Sequence, residues 1–233
     1  MSTPLAATLI LAGYLLGSVP WALLLVRWRL KTDIRTIGSG NVGANNVLRT
    51  GHKSLAAATL ALDAAKGAVP IWIAYAALGE PSLLRPHASV AEHTTIALVG
   101  FAAFLGHLYP VWLRFRGGKG VATGFGVIFA VYWPLAILMA VLWIGTTMVF
   151  RISSVSALAA SAAGTLLALG NAAFHKFEEP GAPIYALLLL AMTVLVFWRH
   201  RGNIGRLRRG EEPRIGRTHT KKDNNSNDSA DVN

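Results

Sequence analysis

Long apolar runs, separated by short loops that gather most of the cationic residues, decide what this chain can fold into. Pro4 to Val26, Ser54 to Leu78, Thr94 to Leu113, Val155 to Phe174 and Pro183 to Trp198 are all apolar. At about 1.5 Å per helical residue, each crosses or nearly crosses a hydrocarbon layer of about 30 Å. Only 14% of the residues are charged, against about 25% in an ordinary soluble domain. That excludes a disordered chain or a collagen. A nucleic-acid-binding domain would spread its basic charge over a polar surface, so no nucleic-acid partner is expected. The sequence has no cysteine, which removes disulfides, thiolate metal ligands and any thioester acyl-enzyme. The expected class is an all-α integral membrane protein embedded in the lipid bilayer.

Charge placement sets the topology. Arg27, Arg29, Lys31, Arg35, Arg49 and Lys53 crowd the first loop, Arg114, Arg116 and Lys119 another, and Arg151 stands in the next. Beyond Trp198 lie Arg199, Arg201, Arg206, Arg208, Arg209, Arg214, Arg217, Lys221 and Lys222. The other loops hold only Arg85 and Lys176. The apolar stretch from Gly120 to Phe150 is interrupted at Trp133–Pro134. If it folds as a hairpin broken at Pro134, every crowded loop is cytoplasmic, as the positive-inside rule requires. A single helix there would put the basic C-terminal segment outside. The sequence therefore predicts a bundle of seven transmembrane helices, with the N-terminus outside and the C-terminus in the cytoplasm. The first run lacks a basic leader and a small-residue cleavage site, so it reads as a retained span. Residues 1–212 form the predicted membrane domain. Residues 213–233, polar and without aromatics, form a predicted disordered tail.

Three polar clusters fall on the cytoplasmic side of this topology. In the first, Gly38, Gly40 and Gly43 allow tight turns that aim N–H groups at one point. Ser39, Asn41 and Asn46 add short polar groups, and Arg49 adds a forked cation suited to phosphate. In the second, His107 and Pro110 precede Gly117-Gly118-Lys119-Gly120 and Thr123. Alone the glycine–lysine core reads as a basic hinge, but in this setting it resembles a phosphate cradle of backbone donors around a lysine point charge. It is not a Walker A loop, because Gly120 follows the lysine and Leu113 holds the upstream glycine position. In the third, His200 and Asn203 stand three apart on one helical face, followed by Arg206 and Glu212. Arg199, Arg201, Arg208 and Arg209 read as a surface for anionic lipid.

Asp63 and Lys66, three apart on the second span, are costly there unless they pair. Arg151, Ser153 and Ser154 read as a turn with a helix cap. His52, His87, His93, His175 and His219 read as loop or tail residues without metal-ligand spacing. No histidine is followed five residues later by aspartate, and no Gly-x-Ser-x-Gly elbow occurs. The chain collects anion-binding parts without a nucleophile–base pair. A carrier for phosphorylated small molecules is the alternative, but a carrier wants its site near the midplane with access to both faces. A lipid-binding scaffold explains the basic tail and leaves the glycine loops unexplained.

Taken together and in this order, Ser39–Arg49, Gly106–Thr123 and His200–Glu212 resemble the three signatures of the bacterial acyl-phosphate:glycerol-3-phosphate acyltransferases. Asp63-x-x-Lys66-Gly67 is similar to a further family pattern, and Arg116 and Asn45 stand as tolerated variation. The resemblance implies transfer of a fatty acyl group from acyl phosphate to the 1-hydroxyl of sn-glycerol 3-phosphate. The products are lysophosphatidic acid and phosphate, in the first step of phospholipid biosynthesis at the bacterial inner membrane. Acyl-CoA and acyl carrier protein are not direct donors in that family, and no cofactor or metal is implied. The peripheral enzyme that makes acyl phosphate is an expected partner. By the same resemblance Ser39, Arg49, Lys119, His200 and Asn203 are catalytic. Gly38, Gly40, Asn41, Gly43, Asn46, Gly117, Gly118, Gly120 and Thr123 bind substrate, and Asp63, Lys66, His107 and Glu212 support them.

Overall fold

The computed structural model describes residues 2–79, 89–175 and 181–215. Arg85, His87, Lys176, His219 and the predicted tail from residue 216 onward lie outside the described residues. Among the described residues the regular structure is entirely helical. In chain order the helices are α1 (Thr3–Gly17), α2 (Trp21–Leu30), α3 (Ala44–Leu48), α4 (Lys53–Ala77), α5 (Val90–Leu108), α6 (Val121–Val131), α7 (Trp133–Phe150), α8 (Ser153–His175), α9 (Gly181–Arg199) and α10 (Arg201–Arg208). Short 3₁₀ turns occupy Ile34–Thr36 and Val111–Leu113. Among the described residues six segments are long and apolar enough to cross a membrane, with α1 and α2 counted as one and α6 too short to count.

Three boundaries differ from the sequence expectation or refine it. The first apolar run is two helices, because Pro20 lacks an N–H and turns Val19 away from helical geometry. The third starts at Val90, not Thr94, because Ser89 and Glu92 form a reciprocal capping box. His93 therefore sits on a helix, buried, with its Nδ1 3.0 Å from the Tyr185 hydroxyl, and is not a loop residue. The stretch from 120 to 150 breaks at Tyr132, whose backbone is non-helical (φ −151°, ψ 83°). Pro134 falls in the first turn of α7, where a missing N–H goes unnoticed.

The hydrogen bonds at the two ends of this stretch fix its course. Lys119, just before α6, bonds Asn203, while Ser154, just after α7, bonds Glu212 on the same C-terminal segment. The chain therefore leaves one end of the bundle along α6 and returns to it along α7. Helix α6 manages this with 11 residues, about 16 Å at 1.5 Å each, because it starts inside the bundle. Thr123, in its first turn, lies against Gly67 in the middle of α4.

Glycines set how closely the helices approach. A Cβ at Gly17 would run into the Ala103 backbone, and one at Gly106 into the Tyr14 carbonyl, so α1 and α5 meet backbone to backbone. Gly67 and Gly126 do the same for α4 and α6, against Thr123 and Ala64. Close approach through small residues is how helices gain contact where lipid removes the hydrophobic incentive to associate. Around these pairs Ile71, Phe104, Leu108, Val127 and Met192 form the main core, and Val26, Ile34, Val47 and Leu55 form a second core under the first loop. Helix α7 buries only Ala136 and exposes Ile137, Leu138, Val141, Ile144, Met148 and Val149, an apolar face for lipid.

Candidate active site

The three polar clusters come together at one end of the bundle. They border an open cleft of about 340 Å³ lined by Ser39, Gly40 and Asn41 from the first loop, Arg116, Gly117 and Lys119 from the second, and Arg199, Asn203 and Arg206 from the C-terminal segment. No carboxylate lines it among the described residues.

The first loop is folded around Asn46. Its amide donates to the Ile34 and Ile37 carbonyls, at 3.0 and 2.9 Å, and its Oδ1 accepts from the Ser39 N–H and hydroxyl, at 3.1 and 3.3 Å. Asn46 is 1% exposed, so its polar capacity is engaged within the loop and it does not reach the cleft. What it does is hold Ser39. Gly38 (φ +54°) sits in left-handed backbone beneath the Arg49 side chain, where a Cβ would touch Cδ at 3.0 Å. Arg49 itself is exposed beside this loop. Asn41 faces the cleft, and Gly43 caps the short helix α3.

The second loop is folded over the end of α5. The Gly117 and Gly118 N–H groups donate to the Leu108 and His107 carbonyls, at 3.1 and 3.0 Å, so they are not free to cradle an anion. Side chains are excluded there for steric reasons. A Cβ at Gly117 would meet the His107 carbonyl, one at Gly118 the His107 ring, and one at Gly120 the Phe104 ring. The glycine run is therefore a packing device that presents Lys119. Thr123 is fully buried and donates to the Asp63 carbonyl at 2.8 Å, away from the cleft. Asp63 and Lys66 pair at 2.9 Å, and Lys66 also donates to the Val19 carbonyl at the α1–α2 break. Their charges are mutually answered inside the bundle. His107 Nδ1 stands 3.6 Å from Asp63, beyond hydrogen-bond reach, and has no hydrogen-bond partner among the described residues.

Arg199 corrects the sequence reading, which gave it to the lipid surface. Its Nε and Nη2 donate to the Gly118 and Gly117 carbonyls, at 3.0 and 2.6 Å, and its guanidinium lies 5.6 Å from the centre of the Tyr109 ring. One cation thus fastens the glycine loop to α9 and still borders the cleft. Arg116 and Asn45 also have contacts. Arg116 lines the cleft, and Asn45 donates to the Ser153 hydroxyl at 2.9 Å. The planar fork of arginine was the only signal for Arg199, and no sequence pattern says which carbonyls it will find.

A chain of polar contacts runs through the third cluster. Lys119 Nζ donates to Asn203 Oδ1 at 2.6 Å, and Asn203 Nδ2 donates to Glu212 Oε1. Arg206 and Ser154 donate to the same carboxylate, each at 2.8 Å. Burial pushes the Glu212 carboxyl up, but the bonds from Asn203, Ser154 and Arg206 outweigh it and hold it below its usual value. Burial lowers the Lys119 amine to about 8, aided by Arg206, Arg49 and Arg199 against the pull of Glu212. His200 is 3% exposed. Burial first, then the Lys119 charge, lower its pKa to about 4, so its imidazole is neutral near pH 7. Its Nδ1 lies 2.8 Å from the Val196 carbonyl, which can only accept, so Nδ1 carries the hydrogen and Nε2 keeps a lone pair.

Relatives match this sequence along nearly its whole length. A family model described as "Glycerol-3-phosphate acyltransferase" matches residues 7–210. A glycerol-3-phosphate acyltransferase of Zymomonas mobilis is 46% identical over 217 residues, covering 93% of this chain and 99% of the relative. One of Caulobacter vibrioides is 47% identical over 209 residues, covering 89% and 87%. The chain belongs to the glycerol-3-phosphate acyltransferase family. It is an acyltransferase and an integral membrane protein. Its fold matches the crystal structure of PlsY (YgiH), an integral membrane glycerol 3-phosphate acyltransferase, in the glycerol 3-phosphate form, with a TM-score of 0.77 at 33% identity over 91% of this chain and 96% of that one. The lysophosphatidic acid form of PlsY matches with a TM-score of 0.74, also at 33% identity, over 91% and 95%.

Proposed function

We propose that this acyltransferase moves a fatty acyl group from acyl phosphate to the 1-hydroxyl of sn-glycerol 3-phosphate. It releases 1-acyl-glycerol 3-phosphate and inorganic phosphate, and so opens phospholipid synthesis. The observation that carries this reading is the cleft: Arg116, Lys119, Arg199 and Arg206 line it, no carboxylate among the described residues lines it, and Glu212, behind the wall, is ion-paired with Arg206 alone of the four. Two phosphorylated substrates need that surplus of cations. Acyl phosphate is a mixed anhydride with a good leaving group, so direct attack by the hydroxyl needs no enzyme nucleophile. The protein has to align the two and neutralise charge on the departing phosphate.

In this mechanism Lys119 and Arg49 meet substrate phosphate, and Ser39, held by Asn46, offers its hydroxyl at the cleft wall. His200 and Asn203 orient glycerol 3-phosphate, with His200 Nε2 as an acceptor for a hydroxyl. A pKa of about 4 makes His200 a poor general base at neutral pH, so a substrate phosphate takes the proton. Asn46, Gly117, Gly118, Gly120 and Thr123 serve by shaping the loops, and Asp63, Lys66 and His107 by filling the bundle beneath them. The acyl tail enters between helices from the bilayer. Residues 1–212 act as one membrane domain of seven crossings, N-terminus outside and cleft facing the cytoplasm at the bacterial inner membrane, where the enzyme that makes acyl phosphate delivers it.

The test is donor choice. Purified protein mixed with palmitoyl phosphate and glycerol 3-phosphate should release phosphate and form lysophosphatidic acid, with no transfer from palmitoyl-CoA. Equal turnover with the CoA ester would overturn the donor and the mechanism built on it.

A further inference from the structure

Ser154 belongs to none of the three polar clusters, and as a helix-cap residue it would be unremarkable in sequence. In the fold it is 3% exposed and donates to Glu212 Oε1 at 2.8 Å, from the first turn of α8. The same carboxylate oxygen accepts from Asn203 Nδ2, and Asn203 Oδ1 accepts from Lys119 Nζ. An ionised carboxylate can only accept, so it compels the Asn203 amide to turn its NH₂ inward and its oxygen toward the lysine. The orientation of Asn203 is thus dictated from behind.

Asn203 and Arg206 lie on α10, and Glu212 follows shortly after it, bonded to both. These three form one hydrogen-bonded unit, joined to α9 through the turn at His200. Fixing them against the rest of the bundle takes a contact on another helix. Ser154 supplies one from α8, and the Ile215 N–H, bonded at 2.7 Å to the Arg151 carbonyl of the same α7–α8 turn, supplies a second. Asn45 reaches that turn from the first loop through Ser153. The α7–α8 turn, distant in sequence from all three clusters, is a common anchor for two of them.

We infer that Ser154 is a positioning residue for acyl transfer: through Glu212 it fixes the Asn203 amide and thereby the direction of the Lys119 amine. The inference rests on the proposal that Lys119 and Asn203 serve the transfer. The polar contact and the packing can be separated with an isosteric pair. Ser154→Thr keeps the hydroxyl and Ser154→Val replaces it with a methyl of the same shape, while Ser154→Ala removes the oxygen without adding bulk.

Steady-state kinetics with palmitoyl phosphate and glycerol 3-phosphate, together with melting temperatures in detergent, give the answer. The Val and Ala variants should lose kcat by at least about fivefold, as expected for one lost hydrogen bond to a charged group. Their KM for glycerol 3-phosphate should rise by less than kcat falls, because Asn203 helps orient that substrate while the Lys119 amine works hardest as phosphate departs. Ser154→Thr should retain kcat within about twofold by the same reasoning. Equal losses in Thr and Val, or losses that follow the melting temperature, would make Ser154 a packing residue and overturn the inference. So would wild-type kcat in all three. If the Val variant fails to fold, the Ala and Thr comparison decides alone. A wild-type protein that transfers nothing from acyl phosphate would instead defeat the underlying mechanism, so the two failures are distinguishable.

Discussion

Lys119 is held where its charge is least comfortable: burial first, then Arg206, Arg49 and Arg199, lower its pKa to about 8 against the pull of Glu212. An ammonium under that pressure gains much from an arriving phosphate. Lys119→Ala and Arg49→Ala should each reduce kcat/KM by on the order of 2 kcal/mol or more, with the melting temperature preserved. Kinetics near wild type for either would remove that residue from substrate contact. The pH profile follows from two neighbours. Lys119 must be protonated, so activity falls as pH rises through about 8. His200 must be neutral, so activity falls only as pH drops toward about 4 rather than near the ordinary histidine value of about 6.5. Lys119→Arg, if active, should lose the alkaline limb. His200→Ala should mainly raise KM for glycerol 3-phosphate, as removal of ground-state binding does; a collapse of kcat with KM unchanged would instead make the imidazole a participant in chemistry. Arg199→Lys keeps the charge but cannot span the Gly117 and Gly118 carbonyls together. It should behave like a loop mutant, with turnover down at least about tenfold, and wild-type turnover would show that charge alone suffices.

At the scale of elements, sequence and structure part company where tertiary contact decides. The seams at Trp133–Pro134 and at the glycine-rich loops were legible, because proline and glycine act on their own backbone. Asn46 was legible as a polar residue in a polar run, yet nothing local says that its amide would be consumed by Ile34, Ile37 and Ser39. The Gly117–Gly118 pair resembled a phosphate cradle because glycine suits both close ligand approach and close packing. Only the His107 ring and the Leu108 carbonyl choose between these. The same ambiguity yields a prediction along α6. Gly126 faces the Ala64 backbone, while Gly145 on α7 has open space around it. Gly126→Ala should therefore cost roughly 1–3 kcal/mol by forcing α4 and α6 apart. Gly145→Ala should be neutral or stabilising by up to about 1 kcal/mol through helix propensity. Chemical denaturation in detergent micelles reads both, and equal effects would mean the α4–α6 contact is slack.

For the whole molecule, the described parts of the cationic loops identified from sequence converge on the cleft end of the bundle. Positive charge beside a membrane protein's helices favours the cytoplasmic face, and several of these charges also line the site, so in the proposed topology orientation and chemistry draw on one set of residues. The turn at Tyr132 makes this possible. It returns the chain along α7 to the cleft end, bringing Arg151 and Ser154 beside Glu212 and Ile215. Because the sequence contains no cysteine, single cysteines report topology without background. Arg114→Cys, exposed at the cleft end, should react with an impermeant maleimide only in inverted inner-membrane vesicles. Val90→Cys, 62% exposed at the opposite end of α5, should react only in intact spheroplasts. The reverse pattern would place the cleft outside, where a soluble phosphate ester made in the cytoplasm does not reach it. Both sites reacting from one side would mean that α5 does not cross the bilayer, a contradiction with its 19 apolar-rich residues between Val90 and Leu108 that only a re-entrant path could resolve.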